Sequence, residues 1–317
     1  MATVLAVLTS GRRSGFTSGL LERAVAGAGS VAGVRVDMVC SHDFSFGPCV
    51  SCFACVRDPG QACILDDDMG RRGEGALYRR IAGANALLIA DPVHNWSPSA
   101  SARLLVERCY PFVWNGALKG MPAASISCAS NQGMHRLARQ ELCKWLFGMR
   151  TRWVGGVAAH VAALDRHMLE AHELGAALGQ AALDDERDGR EPWGDAECFE
   201  HYVRHAPWSP LQCYLDNLTD GTFAADTSVI ARALEAGTFR SPRARELLET
   251  AQRGLVETLE VYATGDAVAA SRLLAEASAC WTHATWVEFL EEKVIGTAQP
   301  EAYRPLPTGP EDTHGPA

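Results

Sequence analysis

No apolar run in the 317-residue chain approaches the roughly 18 residues that a membrane-spanning helix needs. The opening Met-Ala-Thr-Val-Leu-Ala-Val-Leu-Thr lacks the basic segment and cleavage site of an export signal and alternates like a strand. Neither membrane insertion nor export is expected, and the cytoplasm is the expected compartment. Positive charge is also short. Lys and Arg number 29 against 38 Asp and Glu, a formal net charge of −9, the wrong sign for a general nucleic-acid or anionic-membrane binder. There is no Gly-x-Gly-x-x-Gly run to mark a separate dinucleotide site, and no internal repeat or low-complexity block. Apolar residues make up 47% of the chain, with eight Trp, enough for a sizeable core. In a reducing compartment the eleven cysteines are not read as a disulfide framework.

The first half alternates strand and helix patterns. Strands are expected over 2–9, 33–40, 86–91, 122–128 and 152–158, with helices near 16–28, 73–83, 98–112, 132–147 and 164–183. Short apolar strands separated by helices imply an α/β fold, a doubly wound parallel five-stranded sheet of order 2-1-3-4-5. The charged stretch 184–195 reads as a linker after a first domain over 1–183. Beyond it the pattern is helical over 196–295. Ser241-Pro242 starts one helix, Leu247, Leu248, Ala251, Leu255, Leu259 and Tyr262 line it, and Gly265 follows its end. Residues 296–317 are Pro-rich and poor in large apolar groups, and are expected to be disordered.

Three loops follow strands that meet at the sheet's carboxyl edge, where open parallel sheets collect ligands. The first strand runs into Thr9-Ser10-Gly11-Arg12-Arg13-Ser14-Gly15-Phe16-Thr17-Ser18 just before a helix, a turn able to aim N–H groups and one guanidinium at an anion. Asp91-Pro92-Val93-His94-Asn95-Trp96-Ser97 leaves the third strand, and Cys128-Ala129-Ser130-Asn131-Gln132-Gly133 leaves the fourth.

Read together, residues 1 to about 160 resemble the NADPH-dependent FMN reductase and iron–sulfur flavoprotein family, which has a flavodoxin-like fold. Ser10, Arg12, Gly15 and Thr17 match its Ser-x-Arg-x-x-Gly-x-Thr loop. Pro92-Val93-His94 and Ser97 to Ser101 match its second segment, and Cys63-Ile64-Leu65-Asp66-Asp67-Asp68-Met69 its acidic pair and Met. The resemblance implies FMN, its phosphate on Ser10, Arg12, Gly15, Phe16, Thr17 and Ser18. The ring would lie beside Pro92, Val93, His94, Asn95, Trp96 and Ser97 and beside Ala129, Ser130 and Gly133, with His94 and Asn95 nearest the chemistry. His94 stands where the family often has an aromatic residue, and Asn131 and Gln132 where it has glycines, so substrate preference does not transfer.

Cys49-x2-Cys52-x2-Cys55-x7-Cys63 is the strongest chemical signal. Thiolates two residues apart can wrap corners of a cubane, and Cys63 completes a [4Fe–4S] set of Cys49, Cys52, Cys55 and Cys63. Zinc and unliganded thiols are the other readings. The four follow the second strand, so a cluster is expected at the edge that holds the flavin loops. Cys198, His201 and His205 share one face of an expected helix at metal-ligand spacing, against the plainer reading of a packing face. His160, His167 and His172 read as structural or solvent-facing.

The expected function is an iron–sulfur flavoprotein oxidoreductase that passes electrons from NAD(P)H or ferredoxin to a small organic acceptor. An electron carrier without a substrate of its own, or a cluster-free FMN or quinone reductase, are the alternatives. A homodimer or homotetramer is expected. The helices over 196–295 are expected to close over the FMN ring, with Trp208, Trp281 or Trp286 as walls, or else to join subunits.

Overall fold

The computed structural model describes residues 1–292; the expected tail, and the expected helical residues after Glu292, lie outside them. Strands β1 (Ala2–Leu8), β2 (Val34–Cys40), β3 (Ala86–His94), β4 (Ser97–Pro98), β5 (Pro122–Ala129) and β6 (Arg152–His160) form one sheet. Its five parallel strands run β2-β1-β3-β5-β6, the expected order, and β4 is a two-residue antiparallel return on the end of β3. The register sets Leu8 beside Ala90 and Pro92 beside Cys128, so β1, β3 and β5 end together.

Helices cover both faces. On one face α1 (Phe16–Gly29) and α7 (Leu164–Asp188) bury Leu20, Leu21, Ala171 and Leu178 against Val4, Ala6 and Leu88. The two helices touch backbone to backbone. A Cβ at Gly175 would stand 1.9 Å from Ala24 O, and one at Gly27 2.0 Å from His172 O, so only glycine fits. The other face carries α2 (Ala54–Arg57), α3 (Ala76–Ala82), α4 (Ala100–Arg108), α5 (Tyr110–Asn115) and α6 (His135–Gly148). The helix expected over 98–112 is split at Cys109, because Pro111 in the first turn of α5 restarts the helix.

The charged stretch 184–195 is not a linker throughout. α7 continues to Asp188 and stops at Gly189 (φ 81°). Its charges sit at helical spacing, Asp184 with Gln180 and Arg187, and Asp185 pairs with Arg152 at 2.6 Å. Charge without a breaker is a solvated helix face, so the connection shortens to 189–194.

Beyond it lie α8 (Asp195–His205), α9 (Pro210–Leu218), α10 (Val229–Glu235), α11 (Pro242–Ala263) and α12 (Ala267–Glu292). Ser241 Oγ accepts from Ala244 N at 3.2 Å, capping α11. The fully buried Glu288 of α12 accepts from the N–H groups of Arg240 and Ser241, both at 2.9 Å, and locks the two helices end to side. Phe199, Tyr202, Leu248 and Leu274 share one continuous core with Phe112, Phe147 and Trp153, so the added helices are built into the α/β unit.

The expected lid over the ring is not what the chain builds within itself. Phe199, Tyr202, Trp208 and Tyr214 all pack on Phe147 at the end of α6, and Tyr202 Oη meets Thr151 Oγ1 at 3.3 Å just before β6. Trp281 rests on Phe239, and Trp286 on Phe53 and Trp114. The end of α6 and the start of β6 lie at the amino edge of the sheet, opposite the loops after β1, β3 and β5. Large aromatic surfaces there had a nearer apolar partner than a distant polar rim.

Candidate functional site

At the carboxyl edge the loops after β1, β3 and β5 enclose a cleft of about 380 Å³, lined by Ser10, Gly11, Arg12, Gly15, Phe16, Thr17, Pro92, Val93, His94, Cys128, Ala129 and Ser130. α1 starts at Gly15 with no side-chain cap and no acid in its first turn, which leaves its first N–H groups free for an anion. A Cβ at residue 15 would stand 2.9 Å from Arg12 Cδ, so the glycine makes the room in which Arg12 folds back on the helix start.

Beneath the cleft Asp91 is fully enclosed. It accepts from Ser99 N at 2.8 Å, from Ser99 Oγ at 2.5 Å and from Thr9 Oγ1, which ties the end of β1 to the start of α4. Burial raises its carboxyl above the ordinary value, against the pull of those hydrogen bonds. Asn95 (φ 48°) and Trp96 (φ 70°) form the tight turn between β3 and β4. A Trp in the left-handed region, 59% exposed at a cleft's rim, is a conformation held at a cost. Ser97 Oγ donates to Glu141 Oε2 at 2.6 Å and fastens β4 to α6.

Of the sequence-expected residues, Ser10, Arg12, Gly15, Phe16, Thr17, Pro92, Val93, His94, Ala129 and Ser130 come together as the lining. Ser18 is buried with its hydroxyl on Glu22, while Asn95, Trp96, Ser97 and Gly133 support the loops from outside the lining. The sequence reading missed Cys128 and Gly11 as lining. It also missed His42, whose ring lies 3.7 Å from where a Cβ on Gly11 would be and 3.1 Å, through Nε2, from Ser101 Oγ. A histidine after an edge strand carries no local signal for such a place.

The family described as NADPH-dependent FMN reductase matches residues 2–164, just over half of the chain. The chain belongs to that family. It is an FMN-dependent oxidoreductase with a helical region beyond the family's extent. No curated protein matches it. Among solved structures it is similar to a flavone reductase (15% identity, 61% of this chain and 67% of that one, TM-score 0.45). It is also similar to an NADH:FMN oxidoreductase in its apo form (15%, 65% and 96%, 0.40) and to an NAD(P)H:quinone oxidoreductase from Methanothermobacter marburgensis (18%, 56% and 95%, 0.41). Overlaps this loose say nothing about the acceptor.

The cleft's donors suit the family's FMN. Free helix N–H groups, a guanidinium and the hydroxyls of Ser10 and Thr17 are what a terminal phosphate requires.

The cysteine segment does something else. Cys49, Cys52, Cys55 and Cys63 line one cavity of about 640 Å³ together with Arg103, Glu107, Tyr110, Lys144, Trp145 and Met149. That places it toward the far ends of α4 and α6, not at the carboxyl edge of the sheet where topology suggested. After β2 the chain crosses the face of the sheet, drawn by Phe53 into Trp286 and Phe289 of α12 (5.4 and 5.2 Å between ring centres). Arg108, 2% exposed, forks onto Asp67 at 2.7 and 2.9 Å, donates to Gly47 O at 2.6 Å and reaches Cys63 Sγ at 3.4 Å. Ser51 N donates to Cys49 Sγ at 3.4 Å. Burial, then the neighbouring thiols, push the Cys55 thiol up to about 11.

Among the described residues no three Cys, His, Asp or Glu side chains converge as a ligand set, so the four thiols share a cavity without the geometry of a cubane. Ser51 and Phe53, both in the left-handed region, splay the run that spacing alone would wrap. Cys198 and His201 also turn to packing. Cys198 is fully buried, and His201 Nε2 donates to Trp153 O at 2.8 Å.

Proposed function

We propose that the chain takes hydride equivalents from NAD(P)H at the carboxyl-edge cleft and delivers electrons to a small organic acceptor. The observation that carries this is the uncapped start of α1 beside Arg12, Ser10 and Thr17, a ready phosphate seat flanked by the loops after β3 and β5. FMN supplies the chemistry of accepting a hydride and releasing its electrons. The chain's residues bind and orient: the first loop holds the phosphate, Pro92, Val93 and His94 border the ring on one side, and Ala129 and Ser130 on the other. The test is cofactor retention. The purified chain is expected to release FMN on denaturation and to oxidise NADPH or NADH with an artificial acceptor; a preparation that binds no flavin under any reconstitution sinks the reading.

The second reading keeps a [4Fe–4S] cluster on Cys49, Cys52, Cys55 and Cys63. It is favoured by the one cavity they share and by N–H groups already directed at two of the sulfurs. α4 joins this cavity to the cleft. From Ser101, beside His42, to Arg108 is roughly 10 Å of helix. Anaerobic protein with about four irons and four sulfides per chain supports it. Iron-free protein that turns over at full rate leaves the cluster-free reductase.

A further inference from the structure

In this acidic chain, positive charge gathers beside the cleft's third loop. His135 opens α6, with Arg136 next to it and Arg139 one turn on; His160 ends β6; Arg166 and His167 lie in the first turn of α7. The His135 and His160 rings are 5.5 Å apart. Both grip the loop. His160 Nε2 donates to Asn131 O at 2.6 Å, and a Cβ on Gly133 would stand 3.1 Å from His135 Nδ1. Ala129 and Ser130 of the same loop line the cleft, so the patch is continuous with its wall.

The patch is short of compensating carboxylate. Arginines that are tied down elsewhere show the contrast: Arg108 on Asp67, Arg152 on Asp185 and Arg80 on Asp37. Here the acid is Glu170, and it is committed to His167 at 2.8 Å and Arg166 at 3.3 Å. Among the described residues Arg136 has no salt bridge, and Arg139 donates only to Gly156 O, at 3.3 Å. Arg139 Nε and His135 Nδ1 are enclosed without a hydrogen-bond partner. Burial, and then the neighbouring cations, lower the proton affinity of both groups, and at Arg139 Glu170 pulls the other way without reversing it.

The cleft's size says what is absent. Some 380 Å³ holds a flavin's share and leaves no room for a whole dinucleotide, so a donor stacked on the ring must lay its phosphates over the rim. On the first loop's side Arg13 is already spent on Asp43. We propose that the patch beside the third loop receives a phosphate of the nicotinamide dinucleotide donor, with Arg136 and Arg139 as the residues that recognise it. The inference rests on the flavin reading of the cleft.

The test uses the FMN-loaded chain, calorimetric titration with adenosine 2′,5′-bisphosphate and with ADP, and initial rates with NADPH and NADH. Arg136→Gln/Arg139→Gln is expected to weaken binding of the phosphorylated probe about 10- to 100-fold and to raise KM similarly, with kcat within about twofold. Flavin content should not change, and Arg136→Lys/Arg139→Lys should recover much of the loss. Because Arg136 is exposed, Arg136→Glu alone repeats the measurement without risk to folding. An effect confined to NADPH and the bisphosphate supports the patch as the 2′-phosphate seat; equal effects on NADH and ADP support it as the seat of the diphosphate. Unchanged binding and KM for both nucleotides overturn it, and so does a parent chain that binds neither probe. A chain without flavin defeats the oxidoreductase reading instead, and the probe titrations still report on the patch.

Discussion

Asp91 and Gly15 show how little of the carboxyl-edge cleft tolerates change. Asp91 has no solvent and three donors, so Asp91→Ala should strand Thr9 and Ser99 and cost about 2–4 kcal/mol in a urea titration. Its pH behaviour has a definite sign. Burial raises the carboxyl above its ordinary 3.8, so the folded chain holds that proton more tightly than the unfolded one. The resulting stabilisation is complete below 3.8 and is lost as pH rises through the folded value, with the hydrogen bonds from Ser99 and Thr9 limiting the shift. Asp91→Asn removes the titration. Urea midpoints from about pH 3.5 to pH 8 should therefore converge or cross between parent and variant, and a constant offset would show that Asp91 does not titrate in that window. Gly15→Ala acts on the ligand rather than the fold. The new methyl must displace Arg12, so FMN should be held about tenfold or more weakly, measured by fluorescence quenching, with an unchanged melting temperature.

At the scale of elements, two contacts set the geometry. α1 and α7 approach so closely at Gly27 and Gly175 that Gly175→Ala must push the helices apart, an expected loss of about 2 kcal/mol or more in thermal unfolding. α12 sets the cysteine segment through Phe53. Trp286→Ala should cost about 2–3 kcal/mol, less than a fully buried Trp, and release Phe53. Cys52 and Cys55 should then react faster with a disulfide reagent while FMN content stays at parent level. Unaltered thiol rates would mean that Phe289 holds Phe53 in place without Trp286.

For the molecule as a whole, the continuous core between sheet and added helices is decisive. Ending the chain after Arg190 would strip Phe147 of Phe199, Tyr202, Trp208 and Tyr214, and Trp114 of Trp286. Such a patch on a free surface drives association, so the truncated chain should aggregate or lose near-ultraviolet circular dichroism rather than survive as a flavin-binding core. The full chain should unfold in one transition, by heat and by urea alike. A soluble, FMN-retaining truncation would show that the helices are an appendage after all. Among the described residues no helix is long and apolar enough to cross a membrane.

The order of strands, the helix starts at Gly15 and Ser241 and most of the cleft were legible in the sequence, because they depend on period, punctuation and residues next to one another in the chain. Ser10, Arg12 and Thr17 of the cleft lining come from one short run, and Pro92 to His94 enter the same edge by topology. Other features depended on partners far away in sequence, and only the tertiary structure decided them. The cysteine run was compact enough to suggest a closed ligand set, yet its path is drawn by Trp286 and Phe289, more than two hundred residues on. The added helices carried aromatics fit for a lid, but Phe147 and Thr151 offered them a surface at the opposite edge. His135, Arg136, Arg139 and His160 are unremarkable in the sequence. Their meaning comes from standing together around one carboxylate, Glu170, that Arg166 and His167 already share, and that is a property of packing, because charge compensation is settled between elements and not along a chain.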